Sequence, residues 1–76
     1  MIINLTDREL EILKLIAHGH TNKQISCILY LSISTVENHI HHIYTKLRIS
    51  NRAQAVIHAF RMNLTFEEYA MDSIEK

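Results

Sequence analysis

The stretch from Thr21 to Leu47 constrains the fold of this chain most, because it carries helical spacing twice with only a short break between the two runs. Thr21 is a good N-cap residue, and Gln24 three positions later completes a capping box. Apolar residues then recur at helical steps until the pattern breaks at residues 30–32. A second run places apolar residues on one face, at steps of three and four: Val36, Ile40, Ile43 and Leu47. The stretch therefore predicts two helices joined by a tight turn.

The second of these helices has two faces of different chemistry. Ser32 or Ser34 can cap it. Ser34 with Glu37 makes a capping box, which predicts a helix from about Ser34 to Leu47. Polar side chains occupy the face opposite the apolar one: Glu37, Asn38, His41, Thr45 and Arg48. A helix, a short turn and a longer helix of this kind form the plan of a helix-turn-helix.

Helical signals also flank this stretch. Thr6 with Glu9 forms a capping box at the start of a first helix, and Gly19 can end that helix because a left-handed residue closes it without strain. The second helix is expected over about 22–30, and Asn51 is the predicted N-cap of a fourth helix that continues through residue 61. These signals predict four helices within residues 1–62.

The C-terminal residues 63–76 differ in character from the rest of the chain. Thr65 with Glu68 is one more capping box, which predicts a short fifth helix from Phe66 to about Ser73. Carboxylates dominate this segment: Glu67, Glu68, Asp72 and Glu75 stand against Lys76. We therefore expect one all-α domain at 1–62, followed by an acidic C-terminal extension at 63–76.

Composition limits the remaining possibilities. A chain of 76 residues is long enough for one modest core, and it has no proline and a single glycine. No apolar run approaches the roughly 18 residues that a membrane span needs. The single cysteine, Cys27, cannot form an internal disulfide, which fits the reducing cytoplasm. Its place in an apolar helical run predicts a small buried hydrophobic side chain and not a reactive thiol.

The charges are unevenly distributed, although the formal net charge is zero. The segment 20–61 carries Lys23, Lys46, Arg48, Arg52 and Arg61 against Glu37 alone. It also carries five histidines: His20, His39, His41, His42 and His58. A basic middle between acidic ends is compatible with binding to nucleic acid through one face.

Four groups of residues stand at characteristic spacing along the chain: Leu5-Thr6-x-Arg8-Glu9-x-Glu11-Ile12-Leu13, Gly19-x-Thr21-Asn22-Lys23-x-Ile25, Leu31-Ser32-x-x-Thr35-Val36-x-x-His39-x-x-x-Ile43-x-x-Lys46-Leu47 and Arg52-x-x-Ala55-Val56. Together these groups resemble the DNA-binding domain of the LuxR/GerE family. They extend from Leu5 to about Arg61 over four predicted helices, so the pattern is more specific than an isolated helix-turn-helix. The resemblance implies a four-helix domain that binds double-stranded bacterial promoter DNA, usually as a dimer. The chain starts almost at the first helix, so it is either a stand-alone member similar to GerE or a fragment of a longer protein, and Met1 favours the stand-alone member.

The third helix is the predicted recognition helix, with its N-terminal half in the major groove. Its outward residues there are the expected base-reading positions, and family members often have Lys or Arg at those matching Glu37 and His41. Glu37 can accept a hydrogen bond from cytosine N4, or it can serve the capping box instead. Asn38 can bridge adenine N6 and N7, and His41 can donate to guanine or to a phosphate. The predicted base-reading set is Ser34, Glu37, Asn38 and His41.

Phosphate contacts are expected from two sources. The start of the second helix offers free amides and the positive end of the helix dipole. The resemblance adds residues at positions that contact the DNA backbone in the family, although Lys46 can equally lie along the core with its ammonium group in solvent. The predicted phosphate-contacting set is Thr21, Asn22, Lys23, Thr35, His39, Lys46 and Arg52.

The fourth helix is the expected homodimer interface, because in the family it packs against its symmetry mate. Such a dimer would read an inverted repeat. The alternative is that the same apolar residues cover the first helix. The residues concerned are Ala53, Val56, Ile57 and Phe60.

Three other functions compete with DNA binding as explanations of this sequence. A metal site at His39, His41 and His42 lacks the four ligands of a structural zinc centre, and Cys27 lies on another helix. An enzyme is not indicated, because no catalytic arrangement or cofactor motif is readable. The stronger alternative is a protein-interaction module of the same fold that pairs with another transcription regulator, or with RNA polymerase. Glu37, the zero net charge and the acidic extension favour that alternative.

Overall fold

The computed structural model describes residues 4–62 and has four helices there: α1 (Asp7–Ala17), α2 (Asn22–Leu29), α3 (Ile33–Leu47) and α4 (Arg52–Arg61). No strand occurs within this part of the chain, so the all-α prediction is confirmed. The predicted fifth helix and the extension at 63–76 lie outside the described residues.

The predicted N-caps of three helices form as expected. Thr6 and Glu9 bond reciprocally: the Thr6 N–H donates to Glu9 Oε1 at 2.9 Å, and the Glu9 N–H donates to Thr6 Oγ1 at 3.1 Å. Thr21 and Gln24 repeat this pattern at α2. At α4, Asn51 Oδ1 accepts from the Gln54 N–H at 2.9 Å. Each cap satisfies backbone N–H groups that have no partner within the helix.

The C-terminus of α1 also follows the sequence prediction. Gly19 has a φ of 92°, which is strained for any residue with a Cβ atom. Its N–H donates to the Ile16 carbonyl at 3.0 Å, and the His20 N–H donates to the Leu15 carbonyl at 3.1 Å. These two bonds form a Schellman motif that ends α1 and turns the chain toward α2.

The core lies between three pairs of packed helices. α1 packs against α4 and α3, while α2 packs against α3. The buried residues are mostly aliphatic, and α1 and α3 supply most of the volume. They are Ile12, Leu13, Ile16, Ile25, Val36, Ile40, Ile43, Leu47, Ala55 and Ala59. The apolar stripe predicted for α3 is therefore the central wall of the core.

The prediction of a buried Cys27 is wrong, because its side chain is exposed. α2 faces the core with Ile25 and Ser26, and each helical residue turns the next side chain by about 100°. Ser26 tolerates burial because its hydroxyl donates to the Lys23 carbonyl at 2.7 Å. Ile28 is also turned outward and is 45% exposed.

An ion pair with a buried carboxylate joins the start of α1 to the end of α3. Glu9 is only 4% exposed, and its Oε1 accepts from Lys46 Nζ at 2.8 Å as well as from the Thr6 N–H. Burial by itself would raise the pKa of Glu9, but the hydrogen bonds from Lys46 and Thr6 outweigh it and leave the pKa below its ordinary value. Glu9 therefore stays ionised and holds Lys46 in place.

We expect this pair to make the domain sensitive to acid. A lowered pKa means that Glu9 stabilises the fold fully above the glutamate pKa of the unfolded chain, about 4.3, and progressively less as the pH falls through the folded value. Glu9→Gln should lower the free energy of unfolding by about 1 to 3 kcal/mol at pH 7. Urea titrations of both proteins from pH 7 to pH 3 should show this difference shrinking. A difference independent of pH would contradict the assignment.

Candidate nucleic-acid interface

The turn between α2 and α3 sets the direction of α3, the predicted recognition helix. Tyr30 adopts the left-handed conformation with a φ of 59°, and the Leu31 N–H donates to the Ser26 carbonyl at 2.9 Å. A left-handed tyrosine is strained by roughly 1 to 2 kcal/mol relative to glycine. The sequence showed a break here but no glycine, so it did not reveal how the chain turns.

The cap of α3 differs in part from the sequence prediction. Ser32 is the N-cap, and its Oγ accepts from the Thr35 N–H at 3.1 Å, so α3 begins at Ile33 and not at Ser34. The predicted capping box between Ser34 and Glu37 is therefore wrong, because the third helical position is Thr35. The Ser32 Oγ also lies 2.9 Å from Thr35 Oγ1, and the cap is thus built from hydroxyl groups.

This correction leaves Glu37 free of a capping role. The predicted base-reading residues Ser34, Glu37, Asn38 and His41 are all exposed, and they lie on the side of α3 opposite its buried stripe. We call this set the reading face. Thr45 extends the same side, and its hydroxyl donates to the His41 carbonyl at 2.9 Å. The His41 and His42 rings lie 6.0 Å apart, which adds two imidazoles to the helix surface.

The start of α2 holds three of the predicted phosphate-contacting residues together with a fourth from α4. Thr21 caps the helix, Lys23 is exposed, and Asn22 is half-buried. Arg52 Nη1 donates to Asn22 Oδ1 at 2.9 Å, and Arg52 Nη2 donates to the His20 carbonyl at 2.6 Å. These partners are about 30 residues apart in sequence, so no local pattern could have indicated the link.

The remaining predicted phosphate-contacting residues differ in their surroundings: Thr35, His39 and Lys46. Lys46 is neither fully solvated nor simply laid along the core, because it pairs with Glu9. Its side chain is 38% exposed, so part of the ammonium group still faces solvent. Thr35 belongs to the α3 cap, and His39 is half-buried between the core and the surface. Sequence reasoning identified Glu9 as a cap but missed its pairing with Lys46.

α4 divides its apolar residues between two environments. Ala55 and Ala59 are fully buried against the core, and Val56 is partly buried. The opposite side is exposed: Ile57 by 48% and Phe60 by 43%, with Ala53 beside them. We call Ala53, Ile57 and Phe60 the outer face of α4. Of the four residues for which covering α1 was the alternative, Val56 is partly buried against the core, whereas Ala53, Ile57 and Phe60 are exposed.

Within residues 4–62, no group of three or more His, Cys, Asp or Glu side chains has the arrangement of a metal site. None of the helices in the described segment is long and apolar enough to cross a membrane.

Comparison with protein families gives a match over most of the chain. The profile of bacterial regulatory proteins of the luxR family matches residues 3–59. This range includes all of α1, α2 and α3 and most of α4.

Individual response regulators are also similar to this chain. The response regulator VraR is 48% identical over 60 residues in Staphylococcus aureus (strain Mu3 / ATCC 700698), Staphylococcus epidermidis and Staphylococcus saprophyticus. The match spans 79% of this chain but only 29% of the VraR protein. The crystal structure of the response regulator ChrA, from a heme-sensing two-component system, superimposes with a TM-score of 0.75 at 38% identity. That match covers 84% of this chain and 32% of ChrA.

Proposed function

This chain belongs to the luxR family of bacterial regulatory proteins, and we propose that it regulates transcription by binding specific DNA sequences with α3 in the major groove. The family is one of DNA-binding regulators and not of enzymes. The reading face is the observation that carries the proposal, because an exposed polar surface on a helix with a buried opposite side is what a major groove accepts. A regulator of this kind would act on the nucleoid in the bacterial cytoplasm.

The reading face would select bases by hydrogen-bond type. Asn38 would bridge N6 and N7 of adenine, and Glu37 would accept from N4 of cytosine. His41 would donate to guanine or to a phosphate, and Ser34 would contact either kind of group near the start of the helix. The exposure of Glu37 supports a role in the groove, because no capping bond engages its carboxylate.

Phosphate contacts would fix the orientation of α3 on the duplex. Thr21, Asn22 and Lys23 would bind at the positive end of the α2 dipole. Thr35 and His39 would add contacts from α3. Lys46 could use the donors that Glu9 leaves free, since an ammonium group carries three N–H bonds. The α2 and α3 starts would then hold the backbone on either side of the reading face.

A homodimer formed through the outer face of α4 would double these contacts. Exposed isoleucine and phenylalanine on a helix with a buried opposite side suit a two-fold helix pair. Two copies related in this way would read an inverted repeat, with a half-site spacing set by the distance between the two α3 helices.

The second candidate function is a protein-interaction module that modulates another transcription regulator or contacts RNA polymerase. One observation favours it: Glu37 places a carboxylate on the face that would meet DNA phosphates, in a chain of zero net charge. Repulsion from the phosphates would weaken binding to any duplex. Such a module would keep the fold and the α4 contact but would bind DNA poorly by itself.

Fluorescence anisotropy with a mixed-sequence duplex distinguishes the two functions. A dimer that contacts about six to eight phosphates should lose about a thousandfold to ten-thousandfold in affinity between 50 and 200 mM salt, because each contact releases condensed counterions. Selection from a random duplex library should then return inverted repeats with adenine opposite Asn38. Absence of binding at 50 mM salt would refute the DNA-binding function and favour the interaction module.

A further inference from the structure

Arg52 links two helices that otherwise pack against different neighbours. α2 packs mainly on α3 and α4 mainly on α1, yet the guanidinium group of Arg52 reaches from the first turn of α4 to the start of α2. It donates one N–H to Asn22 Oδ1 at 2.9 Å and another to the His20 carbonyl at 2.6 Å. The side chain is half-buried, so this arrangement is part of the folded domain and not a passing surface contact.

The chemistry of this contact fixes the orientation of Asn22. A guanidinium group only donates hydrogen bonds, whereas an asparagine amide has one accepting oxygen and one donating NH2 group. The oxygen of Asn22 must therefore face Arg52, and its NH2 group must face the other way. Without Arg52, either orientation of the amide would be available.

The start of α2 offers N–H donors beside Asn22. The capping box engages the N–H groups of Thr21 and Gln24. Helix geometry leaves the N–H groups of Asn22 and Lys23 without partners inside α2. An outward NH2 group adds a third donor beside those two amides. A phosphate oxygen, which only accepts, matches such a set.

We propose that Arg52 is a positioning residue, which orients the Asn22 amide so that its NH2 group donates to a DNA phosphate. This inference rests on the proposed DNA-binding function, and it changes the role predicted for Arg52 itself. Two of the five guanidinium N–H groups already bind acceptors within the chain, so the proposed role of Arg52 is exerted through Asn22.

The substitution Asn22→Asp tests the outward donor. Aspartate keeps an oxygen for Arg52 and suits the N-terminus of a helix, so the melting temperature should not fall. Its outward atom, however, becomes an acceptor that faces a phosphate. Gln24→Glu is the matched control, because it adds the same charge to the same helical turn and preserves the capping box. Affinity for the duplex should fall about tenfold further in N22D than in Q24E. Equal losses would show an effect of charge alone and would overturn the proposal.

The substitution Arg52→Lys tests the positioning role. Lysine keeps the charge but cannot place two N–H groups in a rigid fork. We expect R52K to bind DNA about fivefold to tenfold more weakly, whereas Arg61→Lys, at the exposed far end of α4, should bind as the wild type does. In an Asn22→Ala background, R52K should change the affinity less than twofold, because the residue through which it acts is gone. Wild-type affinity of R52K, or an undiminished effect in that background, would overturn the inference.

These results separate the inference from the function on which it rests. If the wild-type protein fails to bind DNA in a salt-dependent way, the proposed function is wrong. If the wild type binds but the variants behave like their controls, only the role of Arg52 is wrong. Circular dichroism melts of each variant identify any loss of folding, and N22D remains informative if R52K is unstable.

Discussion

Ile43→Ala is expected to destabilise the domain more than any surface change, with a loss of about 2 to 5 kcal/mol in the free energy of unfolding. Ile43 is fully buried in the middle of α3, in the core to which all four helices contribute. Truncation would remove apolar burial and leave a cavity that neighbouring helices fill only in part. A domain of this size has roughly 4 to 11 kcal/mol of stability in total, so the loss is a large fraction of it.

Thermal and urea unfolding would measure the effect, with an expected fall in melting temperature of about 10 to 25 °C. Ile33→Ala is the matched control, because it is the same truncation on the same helix at a side chain that is 43% exposed. It should change the free energy of unfolding by less than about 1 kcal/mol. Similar losses for the two variants would mean that α3 does not form the central wall of the core.

Ile57→Glu is expected to have the largest effect on DNA binding, through the proposed dimer. Ile57 is 48% exposed on the outer face of α4, so a charge there is tolerated in a monomer. In a two-fold interface each glutamate would be buried near its symmetry mate, which is strongly unfavourable for both charges. The variant should be monomeric, and its affinity for an inverted repeat should fall about 100-fold because the two half-sites are no longer bound as one unit.

Analytical ultracentrifugation and anisotropy on the same samples would test this expectation. Gln54→Glu is the control: it adds the same charge to α4, and its oxygen can still accept from the Ser50 N–H, as Gln54 does at 2.8 Å. Q54E should remain dimeric and bind the repeat nearly as well as the wild type. The proposed interface would be refuted if I57E remained dimeric. It would also be refuted if the wild-type protein bound the inverted repeat as a monomer.

The sequence by itself determined the elements whose signals are local. Thr6 with Glu9, Thr21 with Gln24 and Asn51 with Gln54 are pairs three residues apart, and each bond forms where the sequence predicts it. The end of α1 was equally readable, because only glycine adopts the conformation of Gly19 without strain. The steps of three and four in α3 also predicted its buried face correctly.

Tertiary structure decided the features that depend on which face of a helix meets its neighbours. Cys27 lies in an apolar run, yet Ser26 is the buried residue because α3 approaches α2 from that side. The sequence alone left open whether Ser32 or Ser34 caps α3, since both carry a hydroxyl group near the predicted start of that helix. The fold selected Ser32, and this choice released Glu37 to the reading face.

The long-range polar contacts were beyond any reading of the sequence. Glu9 and Lys46 are on different helices, as are Asn22 and Arg52. Neither a charge nor an amide in the sequence indicates a partner that lies thirty or more residues away. Hydrogen-bond energy falls steeply with distance and angle, so only the packed helices bring these atoms within 3 Å. Local sequence patterns thus specified the four helices, whereas the packing of those helices brought Lys46 beside Glu9 and Arg52 beside Asn22.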